Sequence, residues 1–342
     1  MLRFSKEDYL GVTQLYPFTC AICNTEFQDT LISGKIPRCP SCYPPQLKQG
    51  IIELEVQDWL RSIVSPSTIL EVNTRKVIAP LELDIYLPQF QVALEIDEVY
   101  WHSEIATQGR RGRSYHIHKT EACNILGITL IHIWDTEWIQ SKEIVKSIIS
   151  TRLGILGTKI GARQCEVREI SSKDSEIFLN QNHIQGFAAA SIRYGLYYNN
   201  ELVAHLALGK NRFKTNTYEI VRYAVKTNTS VAGGLSKLWK IAIQKLPNNA
   251  TILSYVDKRY FNGNSNGVIG LQKVKINPPG FYYTKDYKTL ENRLRYQKHK
   301  LPLLLPTYDP SLTEWENMQI AGYDRIWDCG TDVWEIQIQK RG

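Results

Sequence analysis

Two neighbouring apolar segments in the first third of the chain carry acidic side chains. The first reads LELDIYLP and contains Asp84, and the second reads ALEIDEVYWHSE and contains Glu95 and Asp97. The alternation of apolar residues predicts two β-strands joined by a turn at residues 88–91, with Glu95 and Asp97 on one face. Carboxylates in so apolar a frame cost free energy unless a partner binds them. The pattern therefore predicts a hairpin whose acids converge, and the alternative is a solvated face of an edge hairpin.

A divalent metal ion is the partner that such acids favour. Mg²⁺ binds carboxylate oxygens, so it would relieve the repulsion between Asp84, Glu95 and Asp97 and could activate a water for attack on phosphorus. The sequence leaves open whether Glu95 or Asp97 is the direct ligand on the second strand.

The run from Asp84 to His102 resembles the PD-(D/E)XK nucleases, in the branch that contains the very short patch repair endonucleases. The segments EIDEVYWHSE, YHIHKTE and GITLIHI are similar to the phage Hef-like homing endonucleases, in the group called EDxHD. This resemblance implies that Asp84 binds Mg²⁺, that His102 is a general acid or base, and that Lys119 stabilises charge on phosphate. Glu98 departs from the pattern, because the relatives carry glycine there.

Two further candidates lie on the flanking helices. Apolar residues in IIELEVQDWLRSIV recur at helical spacing, which predicts a helix before the hairpin. The resemblance implies a catalytic glutamate on this helix at Glu53, with Glu55 as the second choice and a solvated surface charge as the alternative. The same resemblance makes His116 a candidate, at a position that is aspartate in distant relatives.

The segment ITLIHIW predicts a third, buried strand in which His132 is a core histidine with satisfied hydrogen bonds. The following SKEIVKSIISTRLG predicts a helix that ends at Gly154. The order helix, hairpin, helix, strand, helix is that of the nuclease core, so we predict a nuclease domain over residues 46–156.

Four cysteines near the N-terminus form two pairs, Cys20-x2-Cys23 and Cys39-x2-Cys42. This spacing is typical of a four-thiolate zinc site, whereas a redox dithiol would need only one of the pairs. We therefore predict a structural Zn²⁺ in a zinc ribbon over residues 1–45, because bound metal lets so short a segment fold without a core. The ribbon contacts DNA in one interpretation and is a purely structural cap in the other.

The second half of the chain reads as a meander of strands with a turn at Asn199 and Asn200, an amphipathic helix in SVAGGLSKLWKIAIQKL, and a strand in ILSYVD. This order resembles the GNAT acyltransferase core, which the phage DNA-modification protein Mom shares, and its segments also match the C-terminal region of Hef-like proteins. The acyl-CoA loop pattern is degraded, because neither Gly233 nor Gly234 as its first glycine restores it. We predict a GNAT-like DNA-targeting domain over residues 157–342.

Charge agrees with a nucleic-acid partner. The chain has 41 Lys and Arg against 34 Asp and Glu, a net charge of +7, which favours phosphate contacts. Two basic segments, GRRGR and ENRLRYQKHK, contain the candidate DNA-binding residues, with a solvated loop and a solvated basic helix as alternatives. These candidates are Arg110, Arg111, Arg113, Arg293, Arg295, Lys298 and Lys300.

The sequence as a whole predicts an α/β protein, of the α+β multidomain kind, that acts as a site-specific, metal-dependent DNA endonuclease, with the resemblance implying a phage homing enzyme. Its expected partner is double-stranded DNA, and its expected metals are structural Zn²⁺ and catalytic Mg²⁺. The alternatives are an acyltransferase that modifies DNA and a non-catalytic DNA-binding protein. The lack of a membrane-length apolar stretch or a signal-peptide core predicts a cytoplasmic protein, in the host cytoplasm if a phage encodes it.

Overall fold

A computed structural model describes residues 4–21, 23–31, 37, 39 and 50–339. The chain packs as two compact units, Met1–Asp58 and Trp59–Gly342. Helices and strands occur throughout, so the protein has the predicted mixed α/β architecture. Within the described ranges, no helix has the length and apolar character needed to cross a lipid bilayer.

The first unit contains a small antiparallel hairpin. Strands β1 (Tyr16–Thr19) and β2 (Glu26–Asp29) pair so that Phe18 lies opposite Phe27, and the two rings stack with centroids 5.6 Å apart. The predicted helix before the acidic hairpin is present as α1 (Ile51–Ile63), which begins in this unit.

The first sheet of the second unit contains the acidic hairpin. Its strands lie in the order β3 (Glu71–Thr74), β4 (Leu83–Leu87), β5 (Val92–Asp97) and β6 (Thr129–Trp134). Strands β4 and β5 are antiparallel, as predicted, and β6 runs parallel to β5. Strand β3, which the sequence pattern does not predict, pairs antiparallel with β4.

Short helices connect and flank these strands. They are α2 (Val99–His102), α3 (Tyr115–Ile125), α4 (Asp135–Gln140) and α5 (Lys142–Leu153). The predicted end of α5 is confirmed, because Gly154 follows it with φ of +72°, the left-handed conformation that glycine adopts without strain.

The remaining elements belong to the C-terminal part of the second unit. The strands are β7 (Thr158–Gly161), β8 (Glu166–Glu169), β9 (Ile192–Tyr198), β10 (Glu201–Lys210), β11 (Thr217–Val225), β12 (Thr229–Ala232), β13 (Thr251–Asp257), β14 (Gln272–Asn277), β15 (Phe281–Thr284), β16 (Glu291–Asn292), β17 (Asp324–Trp327) and β18 (Thr331–Gln337). The helices are α6 (Ser172–Asn182), α7 (Gly234–Ala242), α8 (Asn264–Val268), α9 (Leu301–Leu304) and α10 (Glu314–Ile320).

The large sheet has the order β14-β18-β13-β11-β10-β9-β8, and its one parallel pair within the described chain is β11 with β13. The predicted meander is confirmed in β9, β10 and β11. Asn199 and Asn200 form its first turn with φ of 48° and 61°, a conformation that asparagine tolerates better than most residues. Helix α7 packs its apolar face, including Leu238 and Trp239, into the core beside this sheet.

The C-terminal part contacts the part that contains the first sheet at several points. Arg259 donates two hydrogen bonds to Glu137, each of 3.0 Å, and Arg325 donates to Glu104 at 2.7 and 2.9 Å. These contacts lie inside the second compact unit, so the boundary near residue 156 stays a prediction of the sequence.

Candidate active site

Strands β4 and β5 bring the three acids of the hairpin together. Glu95 and Asp97 lie two residues apart on β5, and both are buried. Ile85 pairs with Leu94, so the same register carried one residue further places Asp84 beside Glu95. The Asp84 carboxylate accepts a hydrogen bond of 2.7 Å from the Ile96 backbone N–H. The acidic cluster of Asp84, Glu95 and Asp97 therefore sits on one hairpin.

Helix α3 adds a buried lysine to this cluster. Lys119 Nζ forms a very short ion pair with Glu95 Oε1, and both side chains are only 4% exposed. The helix places Lys119 three residues after His116, so both face the same strands. A lysine held against the acids agrees with the site that the resemblance implies for Lys119.

Asp97 lies among three histidines from three different elements. His102 at the end of α2 and His116 in α3 place nitrogens 3.0 and 3.5 Å from Asp97 Oδ1. His132 on β6 places its Nδ1 2.9 Å from Asp97 Oδ2. One possible ligand atom from each of Asp97, His102 and His116 lies within 4.8 Å of the other two. In the described part of the second unit, these three residues are the group of His, Cys, Asp or Glu side chains that could hold a metal ion. Asp84 and Glu95 are outside that group.

The pKa values of Asp84 and Glu95 are raised because the two acids are buried close together. Burial raises the pKa of Asp84. Burial, and next the charge of Asp84, raise the pKa of Glu95 to about 8, although Lys119 opposes this. Burial lowers the pKa of Lys119 less than Glu95 and Asp84 raise it, so the ammonium stays charged. One lysine does not neutralise the cluster, so a further cation would be stabilised here.

The histidines hold Asp97 ionised. Burial alone would raise the pKa of Asp97, but His116, His132 and His102 hold it well below its usual value. Burial lowers the pKa of His116 to about 3, so this imidazole is neutral at pH 7, the form that binds metals. The Asp97 carboxylate is therefore an anionic ligand beside a neutral imidazole.

The site has a buried floor and a partly exposed mouth. Asp97, His116 and His102 are 0%, 1% and 8% exposed. Asp84 and Arg111 are partly exposed, and Arg111 stacks over the Tyr115 ring at 3.8 Å. The cluster is therefore open to solvent on the side of Asp84 and Arg111.

The sequence pattern does not single out every residue at the site. It predicts His132 as a core histidine with satisfied hydrogen bonds, and His132 Nε2 does have a partner, Thr120 Oγ1 at 2.9 Å. Thr120 also lies 3.4 Å from Cys329 Sγ, so a residue near the C-terminus reaches the back of the site. The parallel register that places His132 beside Glu95 is the signal that would have found it, and it requires knowing that β5 and β6 are neighbours.

Other predicted residues belong to other parts of the chain. Glu53 belongs to the first unit, where Gln57 Nε2 donates to its Oε1 at 3.1 Å, and its catalytic role stays a prediction. The segment 291–300 forms β16 and two short 3₁₀ turns rather than one helix. Its cations contact the protein itself: Arg293 pairs with Glu314, Arg295 pairs with Glu291, Lys298 donates to the Pro310 carbonyl, and Lys300 donates to the Leu294 carbonyl.

The basic loop before α3 is also partly engaged with the protein. Arg110 Nε donates to the Thr107 carbonyl at 3.1 Å, and Arg113 lies 5.7 Å from the centroid of the Trp327 ring. DNA contact by these side chains stays a prediction.

The thiols of the first unit converge as a metal site requires. The sulfurs of Cys20, Cys23 and Cys39 lie within 4.8 Å of one another, and the Cys23 and Cys39 sulfurs are 3.6 Å apart. Two thiolates on one tetrahedral Zn²⁺ lie about 3.8 Å apart, because each Zn–S bond is about 2.3 Å long. The three thiols therefore fit zinc. Cys42, the predicted fourth ligand, lies outside the described residues.

A second feature lies in the C-terminal part. Strands β11 and β13 pair only from Thr217 with Thr251 to Ile220 with Ser254, and then diverge. The unpaired ends line a cavity of about 340 Å³, which Arg222, Tyr223, Tyr255 and Asp257 help to form. Helix α7 begins at Gly234 beside this region, and the Tyr223 hydroxyl lies close to that glycine.

Comparison with known proteins gives no family for the chain. No family model and no curated protein sequence matches it. Among solved structures, the ribosomal-protein-S18-alanine N-acetyltransferase from Escherichia coli is 10% identical over 52% of this chain and 96% of that one, with a TM-score of 0.30. A Bacillus subtilis acetyltransferase in complex with CoA is 17% identical over 51% and 98%, also at 0.30. A GNAT family acetyltransferase from Elizabethkingia anophelis with acetyl-CoA bound is 12% identical over 51% and 99%, at 0.28. Likeness at such TM-scores does not establish a shared fold.

Proposed function

We propose that the protein is a metal-dependent DNA endonuclease that hydrolyses phosphodiester bonds at the acidic cluster. The observation that supports this most is the convergence of three carboxylates on one hairpin with a buried lysine from α3. Acids that bind a divalent ion, beside a cation that stabilises phosphate charge, are the groups that this hydrolysis needs. The antiparallel hairpin followed by a parallel strand also agrees with the PD-(D/E)XK order that the sequence resembles.

The donor atoms of the cluster fit a divalent ion. Glu95 Oε2 and Asp97 Oδ1 are both buried, and neither accepts a hydrogen bond of ordinary geometry. A buried polar atom without a partner costs about 1–3 kcal/mol, and more when it is charged, so a bound cation would stabilise both oxygens. The sequence prediction places Mg²⁺ on Asp84, Glu95 and Asp97. The bound ion would activate water and neutralise charge on the phosphate.

The protein's own groups have separate tasks. Lys119 lies against Glu95 and is placed to stabilise the negative charge that develops on the phosphate. Arg111, at the partly exposed mouth, is available to a backbone phosphate of DNA. The sequence interpretation makes His102 the group that moves a proton between the attacking water and the leaving oxygen.

The setting that the resemblance implies is a phage homing endonuclease, which cuts a specific site in duplex DNA. The zinc ribbon, with three thiols already convergent, and the C-terminal part would then contribute DNA contacts. A protein of this kind would work in the cytoplasm of the host cell.

The test separates binding from cleavage. Asp84→Ala is expected to lower the rate of DNA cleavage with Mg²⁺ or Mn²⁺ at least about 100-fold, because an acid that binds the metal contributes several kcal/mol to the transition state. Duplex binding should persist in a gel-shift assay. Glu82→Gln, a change of an acid on the same segment whose partner is the exposed Arg75, is the matched control and should cut normally. An Asp84→Ala variant that cuts like the wild type would show that the site is misassigned.

Acyl transfer is the second candidate function. It is favoured by the divergence of the parallel strands β11 and β13 and by the cavity between them, which the GNAT-like interpretation would fill with an acyl-CoA. The degraded glycine loop, at Gly233 and Gly234, argues against efficient cofactor binding. A thermal shift with acetyl-CoA, and none with Mg²⁺ plus DNA, would favour this candidate over the nuclease.

A further inference from the structure

Three donor atoms at the floor of the site form a compact triangle. His102 Nδ1 lies 2.9 Å from His116 Nε2 and 3.0 Å from Asp97 Oδ1, and His116 Nε2 lies 3.5 Å from Asp97 Oδ1. Ligand atoms on one first-row divalent ion lie about 2.0–2.2 Å from it, which puts neighbouring ligands about 2.9–3.5 Å apart at octahedral or tetrahedral angles. The three side chains thus already have the mutual spacing of ligands on one ion.

Hydrogen bonding alone does not account for this triangle. The two imidazole nitrogens are within hydrogen-bond distance of each other, so a single proton between them satisfies that pair. Asp97 Oδ1 is then left without a hydrogen bond of ordinary geometry, although the residue is fully buried. A buried carboxylate oxygen without a partner costs free energy, whereas one cation in the triangle would bind all three atoms.

We propose that Asp97, His102 and His116 form a two-histidine, one-carboxylate centre for a divalent transition ion of the Mn²⁺ to Zn²⁺ series, in preference to Mg²⁺. Mg²⁺ takes oxygen ligands and retains water, whereas imidazole nitrogen suits the transition ions. The inference deepens the proposed endonuclease function and rests on it for its catalytic meaning. It assigns His102 to the metal rather than to proton transfer.

The surroundings of the triangle fix Asp97 in the orientation that the metal needs. His132 Nδ1 lies 2.9 Å from Asp97 Oδ2, which leaves Oδ1 directed at the other two histidines. Thr120 lies 2.9 Å from the opposite nitrogen of His132 and holds that ring in place. Such partners of metal ligands orient the ligand and raise its affinity for the ion. His132 is thus a positioning residue for this site.

The experiment measures metal binding without DNA. Full-length protein that holds zinc at its thiols is titrated with MnCl₂, and electron paramagnetic resonance reports free Mn²⁺. Thiolates favour zinc, so Mn²⁺ reports on the imidazole and carboxylate site. We expect one Mn²⁺ per chain that a 100-fold excess of Mg²⁺ does not displace, and a spin-echo modulation from imidazole nitrogen. His116→Gln should weaken binding at least about tenfold, as losses around a metal site do.

His118→Gln is the matched control, because His118 is exposed on the same helix two residues from His116 and should leave Mn²⁺ affinity unchanged. The nitrogen modulation is read on the wild type, so it tests the inference even if His116→Gln does not fold. Equal Mn²⁺ affinity in a folded His116→Gln variant, displacement by equimolar Mg²⁺, or a spectrum without nitrogen coupling would overturn the inference.

The two proposals fail in different ways. If Mn²⁺ binds through nitrogen but the same preparation leaves a random-sequence DNA library intact, the metal centre stands and the endonuclease function fails. If Mg²⁺ supports cleavage by His116→Gln as well as by the wild type and no Mn²⁺ binds, the metal centre fails and the function stands.

Discussion

Replacing Lys119 with methionine tests whether the acidic cluster is held by a buried charge. Lys119 pairs with Glu95, both side chains are 4% exposed, and Asp84 lies on the adjoining strand. Methionine keeps most of the side-chain length and removes the charge. The variant therefore lacks the ammonium group that contacts Glu95.

The size of the effect follows from burial. Removing one partner of a buried ion pair costs about 3–5 kcal/mol, because the other charge is left without compensation. Burial and Asp84 raise the pKa of Glu95 to about 8 even with Lys119 in place, so Glu95 already holds a proton at pH 7 and the ion pair is complete only above pH 8. We therefore expect a loss of about 3 kcal/mol at pH 9, where Glu95 is ionised, and a smaller loss at pH 7.

An exposed pair supplies the control. Arg75 and Glu82 form an ion pair of 2.8 Å with side chains 70% and 36% exposed. Arg75→Met should cost less than about 1 kcal/mol, since exposed pairs contribute little. The double variant Glu95→Gln with Lys119→Met should recover most of the stability that Lys119→Met loses, because the two residues are directly coupled.

The assay is urea unfolding followed by tryptophan fluorescence, with Trp134 and Trp138 buried in this part of the chain. All variants are compared at pH 9, where Glu95 is ionised, and at the same metal content. A Lys119→Met cost no greater than that of Arg75→Met, or a double variant as unstable as the single one, would refute the reasoning.

Three other predictions follow from the same structure. Cys39→Ser should release about one zinc per chain in a chromogenic chelator assay, because a four-thiolate site loses most of its affinity with one ligand, and unchanged zinc content would contradict the zinc assignment. Arg259→Gln should lower the free energy of unfolding by about 3 kcal/mol, since it breaks the doubly hydrogen-bonded pair of the buried Arg259 with Glu137, and a loss below about 1 kcal/mol would oppose this. The metal-free protein should lose stability as pH rises from about 4.5 to 8, because Glu95 binds a proton more tightly in the folded state than in the unfolded state. Glu95→Gln should flatten this dependence of the free energy of unfolding on pH, measured by urea titrations. An unchanged dependence on pH would contradict the raised pKa of Glu95.

The elements best predicted from sequence are those whose pattern is local. The alternation around Asp84 and Glu95 gave a hairpin because side chains on a strand alternate between faces whatever lies beyond it. The turn at Asn199 and Asn200 and the helix end at Gly154 depend on residues that tolerate left-handed backbone.

Features that depend on distant contacts were harder to predict. Strand β3 has little apolar alternation, with Asn73 at φ of +49°, and it is a strand because β4 offers it an edge. His132 joins Asp97 only because β6 lies parallel to β5, and Cys329 reaches Thr120 from 209 residues away. Such neighbours follow from tertiary packing, which no local pattern specifies.

The basic segment at residues 291–300 shows the same limit. Its cations look available to DNA in the sequence, but Glu291 and Glu314 occupy two of them in the folded protein. A basic segment shows in the sequence that cations are present but not which groups they pair with. DNA contact by residues 291–300 therefore needs its own test.

The central proposal is metal-dependent cleavage of DNA at the acidic cluster of Asp84, Glu95 and Asp97. The most direct measurement incubates a random-sequence duplex library with wild-type protein and with Asp97→Asn, in Mg²⁺ and in Mn²⁺, and sequences the ends produced. We predict recurrent ends at a preferred sequence for the wild type with metal, and none for Asp97→Asn or with a chelator. Identical ends from both proteins, or an intact library with every metal, would contradict the claim.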